Sequence, residues 1–319
     1  MIRKIASALV LAGAIVAVPA FAQENVVHLV VAFPAGGPTD FVARAISEQL
    51  GRELHKHVIV ENKPGGNGAV AAEYIVRSAP DGSTIWLSSV GAVAINPVLY
   101  TTLAYDVKDL APVSLVVNNN ELLVVNPANP AQNAAEFVAN ARKATKPVAI
   151  ASTGIGSIPH LAMEQLADAT KVNFLHVPYK GAAPAITDLL GGQVQAFFGD
   201  VPGLIGQVKG GKLRAIGIAA PKRNPELPNV PTLAEQGLPG VDTDNWYGLF
   251  VNAKTPAAVI KTLNEAARET LATPAVRDRL AKAGAEPASS TPQALGKLLE
   301  SDTQKWGKLI RAKHISPEG

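Results

Sequence analysis

Two segments of this chain share a shape that narrows what it can fold into. Val26-Val27-His28-Leu29-Val30-Val31-Ala32-Phe33 is an apolar run that breaks into Pro34-Ala35-Gly36-Gly37-Pro38-Thr39-Asp40, and a helical pattern then runs to about Leu54. In mid-chain, Val148-Ala149-Ile150-Ala151-Ser152 breaks into Thr153-Gly154-Ile155-Gly156-Ser157-Ile158-Pro159, and a second helical pattern runs to about Ala167. Each unit reads as strand, glycine-rich loop, helix. Such a turn aims backbone N–H groups and the positive end of a helix dipole at one spot, which suits an anion. Two such spots far apart in the chain predict two lobes gripping one anionic ligand.

The rest of the chain fits that frame. Apolar, β-branched runs alternate with helical patterns, the mark of an α/β fold. Strands are expected at His57–Asn62, Thr84–Ser89, Asn173–Val177, Val194–Phe198, Leu213–Ile218 and Trp246–Val251. Val113–Val117 and Glu121–Val125 read as two further strands, separated by the polar patch Asn118-Asn119-Asn120 where the chain crosses between lobes. Helical patterns at Ala257–Ala272, Pro274–Ala283 and Pro292–Lys313 close the chain and are expected to pack on the first lobe. The expected division is residues 23–122 plus 247–319 for one lobe and 123–246 for the other. No tandem repeat is visible.

The first residues read as an export signal. Arg3 and Lys4 precede the apolar stretch Ile5–Val18, and Ala20-Phe21-Ala22 has the small-x-small form of a cleavage site. The apolar stretch is short for a membrane anchor. Cleavage after Ala22 gives a mature chain starting at Gln23 with 27 basic and 26 acidic residues. A chain so balanced has no global field for nucleic acid, so anion binding must be local. There is no cysteine. An exported protein without disulfides relies on its own core and fits the bacterial periplasm.

Each candidate site residue has a structural reading beside the functional one. Gly36 and Gly37 allow close backbone approach and positive φ. Thr39 or Asp40 is a natural N-cap, and Asp40 is alternatively a direct or water-mediated ligand contact. The second loop offers the N–H groups of Gly154 to Ser157 and the hydroxyls of Thr153 and Ser157. His160 is either a neutral structural group or a ligand contact. His160 and Glu164 stand at i and i+4 without a third ligand, so no metal is expected. Tyr179-Lys180-Gly181 follows a strand as a ligand loop would, and Lys180 offers positive charge. Asp200 caps the next helix or touches ligand. Trp246, in Asn245-Trp246-Tyr247-Gly248, lines the cleft or packs the hinge. Phe33, Pro34, Ala35, Gly91 and Ile155 complete the candidate set.

Enzyme readings fare poorly. Gly154-Ile155-Gly156-Ser157-Ile158-Pro159 has proline where the dinucleotide fingerprint needs its last glycine, and no acid stands about 20 residues on. G-x-S-x-G and G-x-x-x-x-G-K-[ST] are absent. An exported hydrolase using Ser157 and His160 remains as an alternative, although nearness in sequence does not make a triad.

Taken in order, Phe33–Asp40, Glu61-Asn62-Lys63-Pro64-Gly65-Gly66-Asn67-Gly68, Asn96-Pro97-Val98-Leu99-Tyr100, Gly154–His160, Val177–Gly181 and Gly199-Asp200 resemble the substrate-binding receptors of the tripartite tricarboxylate transporter family, often called Bug-type receptors. The resemblance covers nearly all of the mature chain. It implies a two-lobe, Venus-flytrap α/β fold of the type II-like kind, with the ligand between the lobes. It also implies that ligand carboxylates are held by the Pro34–Asp40 and Thr153–Ser157 loops, partly through water. Family ligands are mostly carboxylates, including di- and tricarboxylates, amino acids and aromatic acids. The implied partners are two integral membrane subunits that drive uptake with an ion gradient. A periplasmic monomer without cofactor or covalent chemistry is expected. A sensor subunit presenting ligand to a membrane kinase is the other alternative.

Overall fold

One long strand organises the molecule. The computed structural model describes residues 25–317, so the expected signal peptide Met1–Ala22 lies outside the described residues. In chain order the elements are β1 (Val26–Val31), α1 (Pro38–Leu54), β2 (His57–Asn62), α2 (Ala69–Arg77) and β3 (Thr84–Ser89). A π-helical turn, Gly91–Ile95, runs into α3 (Asn96–Leu99), followed by β4 (Leu110–Val125), α4 (Ala134–Lys143), β5 (Val148–Ser152), α5 (Ile158–Thr170) and β6 (Phe174–Pro178). Then come α6 (Ala182–Leu190), β7 (Ala196–Asp200), α7 (Val201–Lys209), β8 (Arg214–Ala219) and β9 (Asp244–Asn252). Helices α8 (Ala257–Ala272) and α9 (Pro274–Lys282), the short β10 (Glu286–Pro287) and α10 (Pro292–Ala312) finish the chain.

The first sheet runs β2-β1-β3-β9-β4, with β10 on the far side of β4. β1 pairs in parallel with both β2 and β3, which requires the crossover helices α1 and α2. Its apolar run is continuous because both faces are covered. Val27, Leu29 and Val31 join one core cluster, while Val30 and Ala32 join the other. The second sheet reuses the end of β4, flanked by β7 and β8, with β5 and β6 beyond β7.

β4 is thus one strand of 16 residues, not the two expected. Asn118, Asn119 and Asn120 pair within it against Trp246, Asn245 and Asp244 of β9. The polar patch marks the stretch where the strand leaves one core and has not yet reached the next. The apolar pattern breaks there, but the ladder continues. β4 outward and β9 on return are the two crossings. The terminal helices settle on the first sheet: α8 against α1 and β4, α10 against β4, α3 and the π-helical turn. Trp86, Trp246, Phe250 and Trp306 share the resulting core.

Strand alternation sorts the side chains at the crossing. Asn119, Glu121, Asn245 and Tyr247 are buried. Asn118, Asn120, Asp244 and Trp246 point to the opposite face, where they line a groove with Pro221–Glu226 and Glu286.

Candidate functional site

The C-terminal ends of β1, β3, β5, β6 and β7 face one another across a partly open cavity with about 530 Å³ of empty space. Three helices begin at its wall: α1 with Pro38 and Thr39, α5 with Ile158 and Pro159, and α6 with Ala182 and Ala183. Each has a proline in its first three positions, where a missing N–H costs little. The remaining first-turn amides have no intrahelical acceptor. A third helix terminus is more than the two loops foretold. Among the described residues no lysine or arginine lines this cavity, and its one ionisable carboxylate is Asp200.

The first loop is tied from within. Gly36 has φ +82°, a left-handed conformation that favours glycine, whereas Gly37 is extended with φ −82°. The Gly36 N–H donates to Asp40 Oδ2 at 3.0 Å, Arg44 Nε donates to the same oxygen at 2.9 Å, and Asn62 Nδ2 donates to Asp40 Oδ1 at 3.0 Å. Burial pushes the Asp40 carboxyl up, but the hydrogen bonds from Arg44, Gly36 and Asn62 outweigh it and hold the group below its ordinary value. Asp40 is therefore neither an N-cap, a role taken by the backbone of Gly37, nor part of the cavity wall. It braces the turn. From the first turn of α1, Pro38 and Thr39 line the cavity.

The second loop is knit still more fully. Gly154 N–H donates to Ser152 Oγ at 3.2 Å, Gly156 N–H to His160 Nδ1 at 3.1 Å, and Ser157 N–H to the Gly154 carbonyl at 3.2 Å. Three of the four amides expected to clamp an anion are thus spent on the turn itself. Thr153 and Ile158 line the cavity instead. Ser157 is the N-cap of α5, its Oγ accepting from His160 N–H at 3.4 Å and donating to the Gly154 carbonyl at 2.7 Å. The His160 ring turns away from Ser157 and stacks on His176, with centroids 3.7 Å apart. His176 Nε2 lies 2.6 Å from Ser152 Oγ. Burial, with His176 alongside, lowers the His160 pKa to about 3, and burial lowers that of His176 to about 4. Both rings are neutral struts. The Ser157–His160 pair of a hydrolase is not assembled.

The lobes meet around the cavity. Asn67, at φ 48°, donates from Nδ2 to the Gly156 carbonyl at 3.1 Å and to Asn96 Oδ1 at 3.3 Å. Asn96 in turn donates to the Gly66 carbonyl at 3.0 Å. A Cβ on Gly91 would fall 2.6 Å from the Asn67 amide, so Gly91 makes room for that cross-cleft bond. Ile158 and Leu161 share an apolar cluster with Ile95 and Leu99 of the other lobe.

Of the residues singled out from sequence, Phe33, Pro34, Gly37, Thr39, Gly91, Thr153, Ser157 and Asp200 line the inner cavity. Gly154, Ile155, Tyr179, Lys180 and Gly181 line an outer vestibule that shares Phe33, Pro34, Asn67 and Thr153 with it. The Tyr179 hydroxyl donates to Asp188 at 2.7 Å, and burial together with that carboxylate pushes its pKa up to about 12. Ala35, Gly36, Asp40, Gly156, His160 and Trp246 line neither. Trp246 packs into the core, with Nε1 donating to Asp302 Oδ2 at 2.6 Å. Its neighbours Asn245 and Tyr247 line the cavity. Asn67, Ser89, Ala182 and Ala183 were also missed; only Asn67, in a Gly-Gly-Asn-Gly turn, carried a signal that could have exposed it.

The family profile described as tripartite tricarboxylate transporter family receptor matches residues 42–315. The chain belongs to this family. Its members are periplasmic solute-binding receptors, and the chain shares their two-lobe fold. The periplasmic binding protein BugD superposes with a TM-score of 0.86 at 33% identity, covering 91% of this chain and 98% of BugD. MatC from Rhodopseudomonas palustris, solved with bound malate, gives 0.83 at 32% identity over 89% of this chain and 98% of its own. An R. palustris protein solved with adipate gives 0.88 at 30% identity, with coverages of 91% and 98%.

Proposed function

We propose that this receptor captures a small carboxylate in the inner cavity and delivers it to an ion-gradient-driven transporter of two integral membrane subunits. The observation that carries the reading is the convergence of the N-termini of α1, α5 and α6 on a cavity that, among the described residues, has no cationic side chain. Oriented amides and hydroxyls can hold an anion where no ion pair is present. Thr39, Thr153 and the first-turn amides of α5 and α6 are the proposed carboxylate donors. Asp200, Asn245 and Tyr247 form the opposite wall. The malate and adipate found in two relatives support a carboxylate of modest size.

In this reading the protein is exported, cleaved after Ala22 and active as a periplasmic monomer without covalent chemistry. The lobes are residues 23–122 plus 247–319 and 123–246, closing about β4 and β9. Among the described residues no helix is long and apolar enough to cross a membrane.

The test is a thermal-shift screen of the purified protein against carboxylates. A ligand at about 100 times its dissociation constant adds roughly 2.7 kcal/mol to stability, a shift of several degrees in a chain of this size. A panel of mono-, di- and tricarboxylates that leaves the melting temperature unmoved refutes the reading.

A further inference from the structure

On the wall of the inner cavity stands Asp200, and behind it lies a second, fully buried acid that the helix termini do not explain. Register between β4 and β7 sets Glu121 directly opposite Asp200. Asn245 Nδ2 donates to Asp200 Oδ1 at 2.8 Å and lies 3.5 Å from Glu121 Oε1. The Tyr247 hydroxyl donates to the other Asp200 oxygen. Glu121 is fully buried, and its Oε2 has no hydrogen-bond partner. Asn245, 5% exposed and lining the cavity, has an unpartnered Oδ1.

Among the described residues no cation answers the two acids. From β9 they face Asn245 and Tyr247, from β8 the apolar Ala219, and from α1 the hydroxyl of Thr39, which reaches Tyr247. Asp244, the adjacent acid on β9, lies on the opposite face of the strand in the field of Asp242, Lys305 and Glu286. Burial, and for Glu121 the neighbouring Asp200, raises both carboxyls above their ordinary values. Glu121 is fully buried and Asp200 half-buried opposite it; two carboxylates so placed, without a cation between them, do not both ionise, and one proton stays between them.

We propose that Glu121 and Asp200 form a proton-holding subsite for the ligand's second carboxylate, so that a dicarboxylate is captured together with one proton from solvent. The inference rests on the carboxylate reading of the cavity. One ligand carboxylate takes the helix-terminal amides, and the other end reaches Asp200 and Asn245. Set against the remaining negative charge of the pair, a second carboxylate is repelled until an additional proton bridges it to Asp200. The unpartnered acceptor Asn245 Oδ1, on a residue of the cavity wall, suits a group that arrives carrying a hydrogen. The step makes one O–H bond between the ligand carboxylate and Asp200 and breaks one O–H bond of a hydronium ion, which leaves as water.

Two measurements test this. Infrared difference spectra near pH 7 of the wild type against Glu121→Gln and Asp200→Asn should show a protonated-carboxyl band in the wild type that the variants lose. Calorimetric titrations with malate and adipate, run in buffers of differing protonation heat between about pH 6.5 and 8.5, should show uptake of close to one proton. Affinity should rise about tenfold per unit fall in pH. Butyrate and hexanoate, with one carboxylate each, should bind without uptake. The Glu121→Gln/Asp200→Asn double variant should flatten the dicarboxylate slope. The wild-type band and slope need no variant, so the outcome stands even if a variant fails to fold. Dicarboxylate binding without proton uptake, or a wild type without the band, overturns the proton-holding pair and leaves the carboxylate reading intact. Failure of every mono- and dicarboxylate to bind overturns that reading and the subsite with it. An amino acid that binds tightly with no proton uptake assigns Asp200 to an ammonium group and also overturns the proposal.

Discussion

After β1 the glycine turn is tied by a charge: Asp40 receives Gly36, Arg44 and Asn62, and it gains from being ionised. After β5 the same outline is tied by neutral groups: His160 accepts from Gly156 and stacks on His176, which meets Ser152. The first brace is a carboxylate below its ordinary value and the second a pair of imidazoles below theirs. Two loops of one shape therefore answer differently to protons and to substitution. Amide-rich turns need something to hold them open, and the fold has met that need by two chemistries.

Acid should separate them most strongly. A histidine whose folded pKa lies below its unfolded value of 6.5 contributes stability that is complete above that value. The contribution is lost as pH falls toward the folded one, because the unfolded chain takes the protons first. For His160, whose pKa is about 3, this amounts to about 5 kcal/mol across the whole window, and His176 adds to it down to about 4. Asp40 behaves otherwise: its contribution is present above its unfolded value of 3.8 and disappears only as pH falls through its lower folded value. Melting temperature should thus begin to fall below about pH 6.5, well before Asp40 titrates. His160→Asn, which keeps an acceptor for Gly156, should flatten that early slope, and Asp40→Asn should leave it unchanged. An acid profile that is flat from pH 6.5 to 4 in the wild type would refute the neutral-strut account of the second loop.

Glycine substitution is the next largest contrast. A Cβ on Gly156, at φ +72°, would sit 2.3 Å from Leu99 Cδ2 and 3.3 Å from Ile95 Cγ2. Gly156→Val should therefore cost about 2–4 kcal/mol from backbone strain and overpacking, and should spread the lobes. Gly37 has an ordinary φ, and its Cβ would meet only the Pro34 carbonyl, at 3.4 Å. Gly37→Val should hold its melting temperature within about 1 kcal/mol while it fills the cavity and lowers carboxylate affinity about tenfold or more. Scanning calorimetry beside ligand titration reads both. Equal losses of stability would mean that the loops do not divide fold and ligand in this way.

The charged brace comes third. Asp40→Asn turns one acceptor into a donor against Gly36, Arg44 or Asn62. Because Arg44 is half exposed, solvent screens much of the ion pair, and the expected loss is about 1–2 kcal/mol. The loss should shrink as pH falls below 3.8, where the unfolded chain's Asp40 takes a proton before the folded one does. A loss of the same size at every pH would place the cost in packing.

Much of the architecture was legible because strands and helices announce themselves locally. The run from Val26 to Leu54 contains its own strand, turn and amphipathic helix, and the helix begins at Pro38 and ends at Leu54. What was not legible depends on partners distant in sequence. Nothing near Gly156 shows that its carbonyl will receive Asn67, or that Leu99 will press on its Cα. Glu121 looks like an ordinary strand acid until register sets Asp200 beside it. Trp246 and Tyr247 are equal candidates in one dimension, and only the phase of β9 decides which faces the cavity. The amides of Gly154, Gly156 and Ser157 looked free because a sequence cannot show that the loop uses its own donors.

The smallest effect is the most exacting test of the neutral loop. Ser157 caps α5 and lines the cavity, so Ser157→Ala removes a cap and a hydroxyl together. The cap bond to His160 N–H is long, at 3.4 Å, and the Gly154 carbonyl that loses the serine hydroxyl keeps the Ser157 N–H at 3.2 Å and Ser152 Oγ at 3.1 Å. This redundancy predicts a loss of only about 0.5–1 kcal/mol in stability, at the low end for a helix cap. With Thr153 and the first-turn amide of Ile158 still in place, affinity for a carboxylate should fall by about twofold to fivefold, as for one net hydrogen bond. Ser152→Ala is the matched control, because it deprives both Gly154 N–H and His176 of a partner while leaving the cavity wall untouched. It should cost more stability than Ser157→Ala and less affinity. If Ser157→Ala instead costs several kcal/mol, the loop is not redundantly tied. If it removes a hydrolytic turnover while binding survives, Ser157 is a nucleophile and the receptor reading gives way.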